Sequence, residues 1–309
     1  MTKEELMNSI QLKKRFVKDC NLPITVFDNP YFLERITILD PLFDSLDKFK
    51  TFCFDVANFK SEQDYFYYYN EVKDKMIEDI KSKPDFALFQ NLPSAIIPDV
   101  PGKRNLYVDE NDGKCFISID MKKANFSALK HYSRNIFDDC NTWEEYIGKF
   151  TSSQHIINSK YIRQVVLGAC NPKRQIKYEQ YLMSIMAKHI MVKAPQYNIY
   201  SLGEDEILIE LESEDFDIAE IESLVWDCPE GIGQLVRVEV FKLFKFNCGW
   251  YKEDLLNEDK FPDFKWVDAE IFHQVVKYYF NMKFTKNDLV FYHNGKLARF
   301  LEAVENPWL

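Results

Sequence analysis

Apolar and polar positions recur with two different periods along this chain, and the change of period marks its parts. Residues 1–92 read as mostly helical. The clearest stretch is "SEQDYFYYYNEVKDKMIEDIKSK", where Tyr65, Tyr68, Tyr69, Val72, Met76 and Ile80 share one face and Ser61 stands at the N-cap. Such a tyrosine run serves as a core stripe or as a platform for stacked bases, and core is the commoner use. Pro93, Pro98 and Pro101 mark a connector. Beyond it the period becomes two. In "NLYVDENDGKCFISID", Phe116, Ser118 and Asp120 alternate with Ile117 and Ile119, and Asn111-Asp112-Gly113 is turn chemistry, which predicts a hairpin.

Helices are expected next, in "KKANFSALKHYSRNIF", "TWEEYIGKF", "INSKYIRQVVLGA" and "IKYEQYLMSIMAKHIMVK", with Gly168 and Pro172 separating the last two. "NIYSLGEDEILIEL", residues 198–211, predicts a second hairpin. "DFDIAEIESLVW" is a short amphipathic helix capped by Asp215 or Asp217, and "QLVRVEVFKLFKF" alternates as a strand. The tail, 249–309, combines helix and hairpin, with "DAEIFHQVVKYYF" as its main helix. Strand, helices, strand–turn–strand, helix, strand is the βαββαβ order of a ferredoxin-like split arrangement. The expected fold is therefore α+β: a mainly helical N-terminal region (1–101), a ferredoxin-like core (102–246) and a C-terminal helical and hairpin extension (247–309). Such a sheet sets the end of its first strand beside the turn of its central hairpin, which would bring Asp120 next to Asp205.

Composition narrows the class. The 309 residues, 46% hydrophobic, suffice for a sizeable core. No apolar run approaches the roughly 18 residues that span a bilayer, and "MTKEELMNSIQLKKRF" has no signal core, so a soluble, cytoplasmic protein without membrane contact is expected. Seven cysteines without a C-x-x-C pair argue for reduced thiols. A net charge of −10 weighs against a broad nucleic-acid coat and leaves two local basic clusters, "QLKKRFVK" (11–18) and "NPKRQIKYEQ" (171–180). The Lys, Asn, Ile and Phe richness is the composition that an AT-rich genome, such as a viral one, produces.

The feature that composition does not explain is the turn of the second hairpin. It carries Glu204, Asp205 and Glu206 in line, a repulsive cluster unless water or a cation relieves it. Asp120 ends the apolar strand "FISID". Carboxylates arriving from two strands, Asp120 with Asp205 and either Glu204 or Glu206, can hold two Mg²⁺ (or Mn²⁺) ions about 4 Å apart and support phosphoryl transfer. Two plainer readings remain beside this one: Asp120 as an N-cap for "KKANFSALK", and the acidic turn as a solvated loop. No G-x-S-x-G, Walker A or Cys–His signature is present, "GIGQ" (231–234) reads as a turn before a strand, and His131, His273 and His293 stand alone.

"CFISIDMKKANFSALKHY" resembles motif A of palm-domain polymerases, above all the "DIKKAF" pattern of reverse transcriptases. "YSLGEDEILIEL" resembles motif C, written "YADDILL" in reverse transcriptases, "HDEIVVE" in family A DNA polymerases and "GGDEF" in diguanylate cyclases. The resemblance covers roughly residues 105–246. It implies that Asp120 takes the motif A metal position and Asp205 the principal motif C position, with Glu206 beside it. The interval of 85 residues between them is close to that of reverse transcriptases and viral RNA polymerases. Five residues after Asp120, where reverse transcriptases place an aromatic, stands Asn125, which could hydrogen-bond a ribose hydroxyl. The break "LGACNPKRQ" lies where motif B would sit, a poor match, and Arg163, Lys173, Arg174 and Lys177 around it could contact template or triphosphate. The function implied is a magnesium-dependent nucleotidyltransferase acting on nucleoside triphosphates and an RNA or DNA strand, with a thumb-like extension. The alternative is a catalytically inactive palm-like protein acting as a binding or structural module.

Overall fold

Among the described residues five helices come first: α1 (Ile10–Asp19), α2 (Tyr31–Phe43), α3 (Ser45–Ala57), α4 (Glu62–Ser82) and α5 (Pro84–Gln90). They belong to a computed structural model that describes residues 8–26, 28–91, 99–213, 216–293 and 296–308; Pro93, Pro98 and Asp215 lie outside these. Ser61 starts α4 as the sequence predicts, its hydroxyl accepting from the Asp64 backbone N–H at 3.1 Å. Tyr65, Tyr69, Val72, Met76 and Ile80 are buried and Tyr68 is half-buried, so that stripe is core packing, while Tyr67 between them is 65% exposed. That core continues from Phe16 and Phe52 through Trp143 and Ile162 to Phe272 and Val275, so the first helices and the end of the chain share one apolar interior.

The sheet is assembled around β1 (Cys115–Met121). Helices α6 (Ala124–Tyr132), α7 (Trp143–Ile147), α8 (Gln154–Ile157), α9 (Lys160–Gly168) and α10 (Pro172–Lys193) follow it. Then come β2 (Asn198–Leu202), β3 (Glu206–Leu211), α11 (Ile218–Trp226), β4 (Val236–Phe246), β5 (Gly249–Asp254) and β6 (Asp263–Lys265). The six strands lie in the order β2-β3-β1-β4-β5-β6, with every pairing antiparallel. The chain is thus α+β. It closes with α12 (Phe272–Tyr279) and a small separate hairpin, β7 (Val290–His293) with β8 (Lys296–Arg299). Among the described residues no helix is long and apolar enough to cross a membrane.

One expected element is missing. Residues 105–108 form no strand, so the first hairpin does not exist, although its turn does: Asp109–Asn111 make one 3₁₀ turn and Gly113 takes φ +75°. The reason is that β1 is central. β3 and β4 already occupy its two edges, and the residue pair that would have begun the hairpin instead bonds to β4, Gly113 N–H donating to the Leu243 carbonyl at 2.8 Å.

Alternation gives the sheet two unlike faces. Ile117, Ile119, Ile207, Ile209 and Val240 point to the side covered by Leu182, Met183 and Met186 of α10 and Ile221 and Val225 of α11. Each such buried aliphatic side chain contributes about 1.5–3 kcal/mol. Phe116, Leu208, Phe241, Leu243 and Trp250 cluster on the other side, which no helix of the α6–α11 set covers. The turn leading from α11 into β4 is held tightly: a Cβ on Gly233 would collide with the Val225 carbonyl oxygen and the Trp226 Cα. Gly233→Ala is therefore expected to lower stability by about 1–3 kcal/mol, read from urea unfolding midpoints at unchanged slope. An unshifted midpoint would contradict the close approach.

Candidate functional site

Asp120 is the next-to-last residue of β1, and the pairing register fixes its neighbours: Glu206 opposite it on β3, and Arg237 opposite it on β4. Residues directly opposite one another project to the same side of a sheet. The open face therefore carries a carboxylate, a second carboxylate and a guanidinium in one row across three strands. Arg237 donates to Oδ2 of Asp120 from Nε at 3.0 Å and lies 2.9 Å from the same oxygen through Nη2. Ser118, two residues before Asp120 and on the same face, donates its hydroxyl to Oε1 of Glu206 at 2.6 Å.

The acidic turn closes the end of this row. The Met121 backbone N–H donates to the Asp205 carbonyl oxygen at 2.8 Å, which pins the turn of the β2–β3 hairpin to the end of β1. Burial pushes the Asp205 carboxyl up from its ordinary range, and the charges of Glu206 and Glu204 add to the shift. Asp120 is also raised, chiefly by burial, with Arg237 pulling the other way and Glu206 and Asp205 pushing it further. Glu204 is different: Lys103 binds it at 2.8 Å and holds it below the usual range. Behind the turn, Glu179 of α10 is buried and raised to about 7 by burial first and then by Asp205 and Glu204. Five carboxylates thus feel one another at this end of the sheet, with two of them on the open face.

The open face also forms the floor of a cleft of about 500 Å³. Its walls are β5 and β6, the residues Asn21 and Pro23 after α1, and Leu42 and Phe43 at the end of α2. Arg237, Lys252, Lys260 and Lys265 reach into it among Glu239, Asp254 and Asp263. These cations were invisible to motif matching. The signal that could have found Arg237 is the alternation of "VRVEVF", which puts Arg237 and Glu239 opposite the face of Val236, Val238 and Val240. Lys252 needed the β4–β5 pairing, which no local pattern supplies.

The other residues singled out by sequence stand elsewhere. Asn125 lies in the first turn of α6, half-buried. Arg163 of α9 is half-buried and faces Glu144, whose charge partly offsets the lowering that burial imposes on its pKa. Lys173 and Lys177 are exposed on the first turns of α10, and Arg174 donates to the Gln90 carbonyl at 3.2 Å. Among the described residues none of these makes an ion pair with Asp120, Asp205 or Glu206. The capping alternative for Asp120 fails: the N-cap of α6 is Lys123, without a side-chain cap bond. His131 bridges the Tyr178 hydroxyl (3.1 Å) and the Glu230 carbonyl (2.9 Å), a structural role.

Whether this donor set suits a divalent ion depends on its chemistry. Among the described residues no three His, Cys, Asp or Glu side chains are gathered into a metal-holding group. Mg²⁺, however, is commonly held by one or two carboxylates, with water and substrate phosphates completing its octahedron. Asp120 and Glu206 on the open face, with Asp205 at the adjoining turn, offer hard oxygen donors of that kind. Comparison with protein-family models, with curated proteins and with solved structures finds no match for this chain.

Proposed function

We propose that the chain is a palm-class nucleotidyltransferase that transfers nucleotides from nucleoside triphosphates to an RNA or DNA strand, with Mg²⁺ or Mn²⁺ as cofactor. The observation that carries this reading is the row Glu206–Asp120–Arg237 across β3, β1 and β4, with the Asp205 turn bonded to the end of β1. The strand order β2-β3-β1-β4, with helices between β1 and β2 and between β3 and β4, supports a ferredoxin-like palm core. One face of the sheet is covered by helices, and on the other a cleft over β4 and β5 opens beside the acids, a setting suited to laying a strand and a nucleotide next to them.

Asp120 and Asp205, with Glu206 or Glu204, would hold the metal. Bound there, it would supply the charge that activates an attacking hydroxyl and offsets the developing phosphoryl charge. The protein's own groups do the rest. The Ser118 hydroxyl fixes the orientation of Glu206, Arg237 balances the Asp120 charge, and the Met121–Asp205 backbone bond holds the two acidic elements in fixed relation. Because both Arg237 nitrogens approach the same oxygen, Oδ1 of Asp120 stays open to a further ligand.

Purified full-length protein given Mg²⁺ or Mn²⁺, labelled nucleoside triphosphates and primed or unprimed strands is expected to incorporate label in an Asp120-dependent manner. Absence of incorporation or cyclisation under all these conditions would overturn the reading. A second reading, a catalytically inactive palm-like module that acts by binding, draws on one observation: Arg237 already neutralises the carboxylate on which catalysis would depend.

A further inference from the structure

Among the described residues, one cation of the cleft beside the acids has no hydrogen-bonded carboxylate partner. Lys260 is paired with Asp254 at 2.7 Å, Lys265 with Asp263 at 2.7 Å, and Arg237 with Asp120. Lys252 is not paired in this way. It sits on β5 between Leu243 of β4 and Asp263 of β6, its side chain is only 14% exposed, and its ammonium lies over the Phe241 ring, 4.2 Å from the centroid. The nearest carboxylate oxygen, Oε1 of Glu206, is 4.0 Å away, beyond hydrogen-bond reach and already taken by Ser118. An ammonium has three N–H donors, and among the described residues no protein acceptor meets those of Lys252. Burial accordingly pulls its pKa down.

A largely buried ammonium whose N–H donors are unmet is costly unless something it binds offsets that cost. Lys252 lines the 500 Å³ cleft, a size within the ~300–1,000 Å³ of small-ligand sites. The group that suits it is an anion rich in acceptor oxygens. Position argues for which anion: the Lys252 ammonium lies 4.0 Å from Oε1 of Glu206, and Glu206 stands opposite Asp120, so a ligand on Lys252 that extends along the floor arrives at the carboxylates proposed to hold the metal. Only an extended polyanion satisfies both ends, with one oxygen set on the ammonium and the next on a cation held by the acids.

We propose that this cleft seats the polyphosphate tail of a nucleoside triphosphate, with Lys252 as its innermost contact and Arg237 as a second donor once Asp120 turns to metal. The proposal rests on the nucleotidyltransferase reading for the identity of the ligand, while the anion site can be scored alone. Full-length protein is titrated with inorganic tripolyphosphate and with a nucleoside triphosphate, in chelator and in Mg²⁺, by calorimetry. Lys252→Met keeps the aliphatic stem over Phe241 and removes the charge. It is expected to weaken tripolyphosphate and nucleotide binding about tenfold or more, while Lys252→Arg retains most of it. Circular dichroism and melting of each variant show that the fold persists. Asp120→Asn should still bind tripolyphosphate in chelator, so the anion site survives as a finding even where no nucleotide is transferred. No tripolyphosphate binding with or without Mg²⁺, or equal binding by wild type and Lys252→Met, would overturn the proposal. So would a Lys252→Met loss confined to single-stranded oligonucleotide, which would make Lys252 a backbone-phosphate contact instead.

Discussion

Asp120→Asn is expected to lower Mg²⁺-dependent nucleotide incorporation by about 10²–10³-fold or more, a loss of the size seen when a single preorganised electrostatic group is removed from an active site. The substitution preserves shape and leaves an amide oxygen for Arg237, so the fold has little to lose. Arg237 is 54% exposed, and exposed ion pairs are worth about 0–1 kcal/mol. Burial already disfavours the Asp120 charge, which makes a neutral amide tolerable there. A melting temperature close to wild type with activity gone is the expected pair of results, from a gel-based incorporation assay and a thermal scan. Activity within a few-fold of wild type would remove Asp120 from the chemistry.

The second large effect is structural. Asp288 is 1% exposed and holds together elements far apart in sequence. Lys277 of α12 lies 2.7 Å from it, Arg35 of α2 lies 3.5 Å from it, and the Thr285 N–H donates at 2.6 Å. Removing one partner from such a buried group strands the cations, and Asp288→Ala is expected to cost about 3–5 kcal/mol in urea unfolding. The effect reaches the cleft, because α2 ends in the Leu42 and Phe43 that wall it. Burial alone would raise the Asp288 carboxyl, but hydrogen bonds from Lys277 and the Thr285 backbone, with the Lys277 charge, hold it below its ordinary value. A depressed carboxyl contributes stability that is present above its unfolded pKa of about 4 and disappears as pH falls through the folded one. The gap between wild type and Asp288→Ala should therefore be full at pH 7 and narrow below pH ~4. A cost under about 1 kcal/mol at pH 7 would mean that the network is not structural.

The sheet was legible because its strands obey a period of two with one apolar face: "CFISIDM", "EILIEL" and "VRVEVFKLFKF" could be assigned by alternation, and Ser61 and Asp217 marked their helices by capping. The absent hairpin at 105–113 shows the limit of local chemistry. A good turn around Gly113 says nothing about which strands compete for the edges of β1, and β3 and β4 take both. Of the site, the acids were legible because charge in an apolar strand and a triple-acid turn are conspicuous in one dimension. Arg237, Ser118 and Lys252 were not, since a cross-strand neighbour is set by register between segments far apart in sequence, Asp120 and Arg237 at 117 residues among them. Arg163 and the basic residues at the start of α10 lie near the motif B position in sequence, but their two helices carry them where, among the described residues, they make no ion pair with the acids.

The most direct test of the two-strand acidic site is diffraction from crystals of the full-length protein soaked in Mn²⁺, recorded at the manganese edge. The account predicts an anomalous peak at roughly 2.0–2.2 Å from a carboxylate oxygen of Asp120 and from one of Asp205 or Glu206, with Arg237 drawn away from Asp120. Saturating Mn²⁺ that leaves no peak there and Arg237 still bound to Asp120 would contradict it.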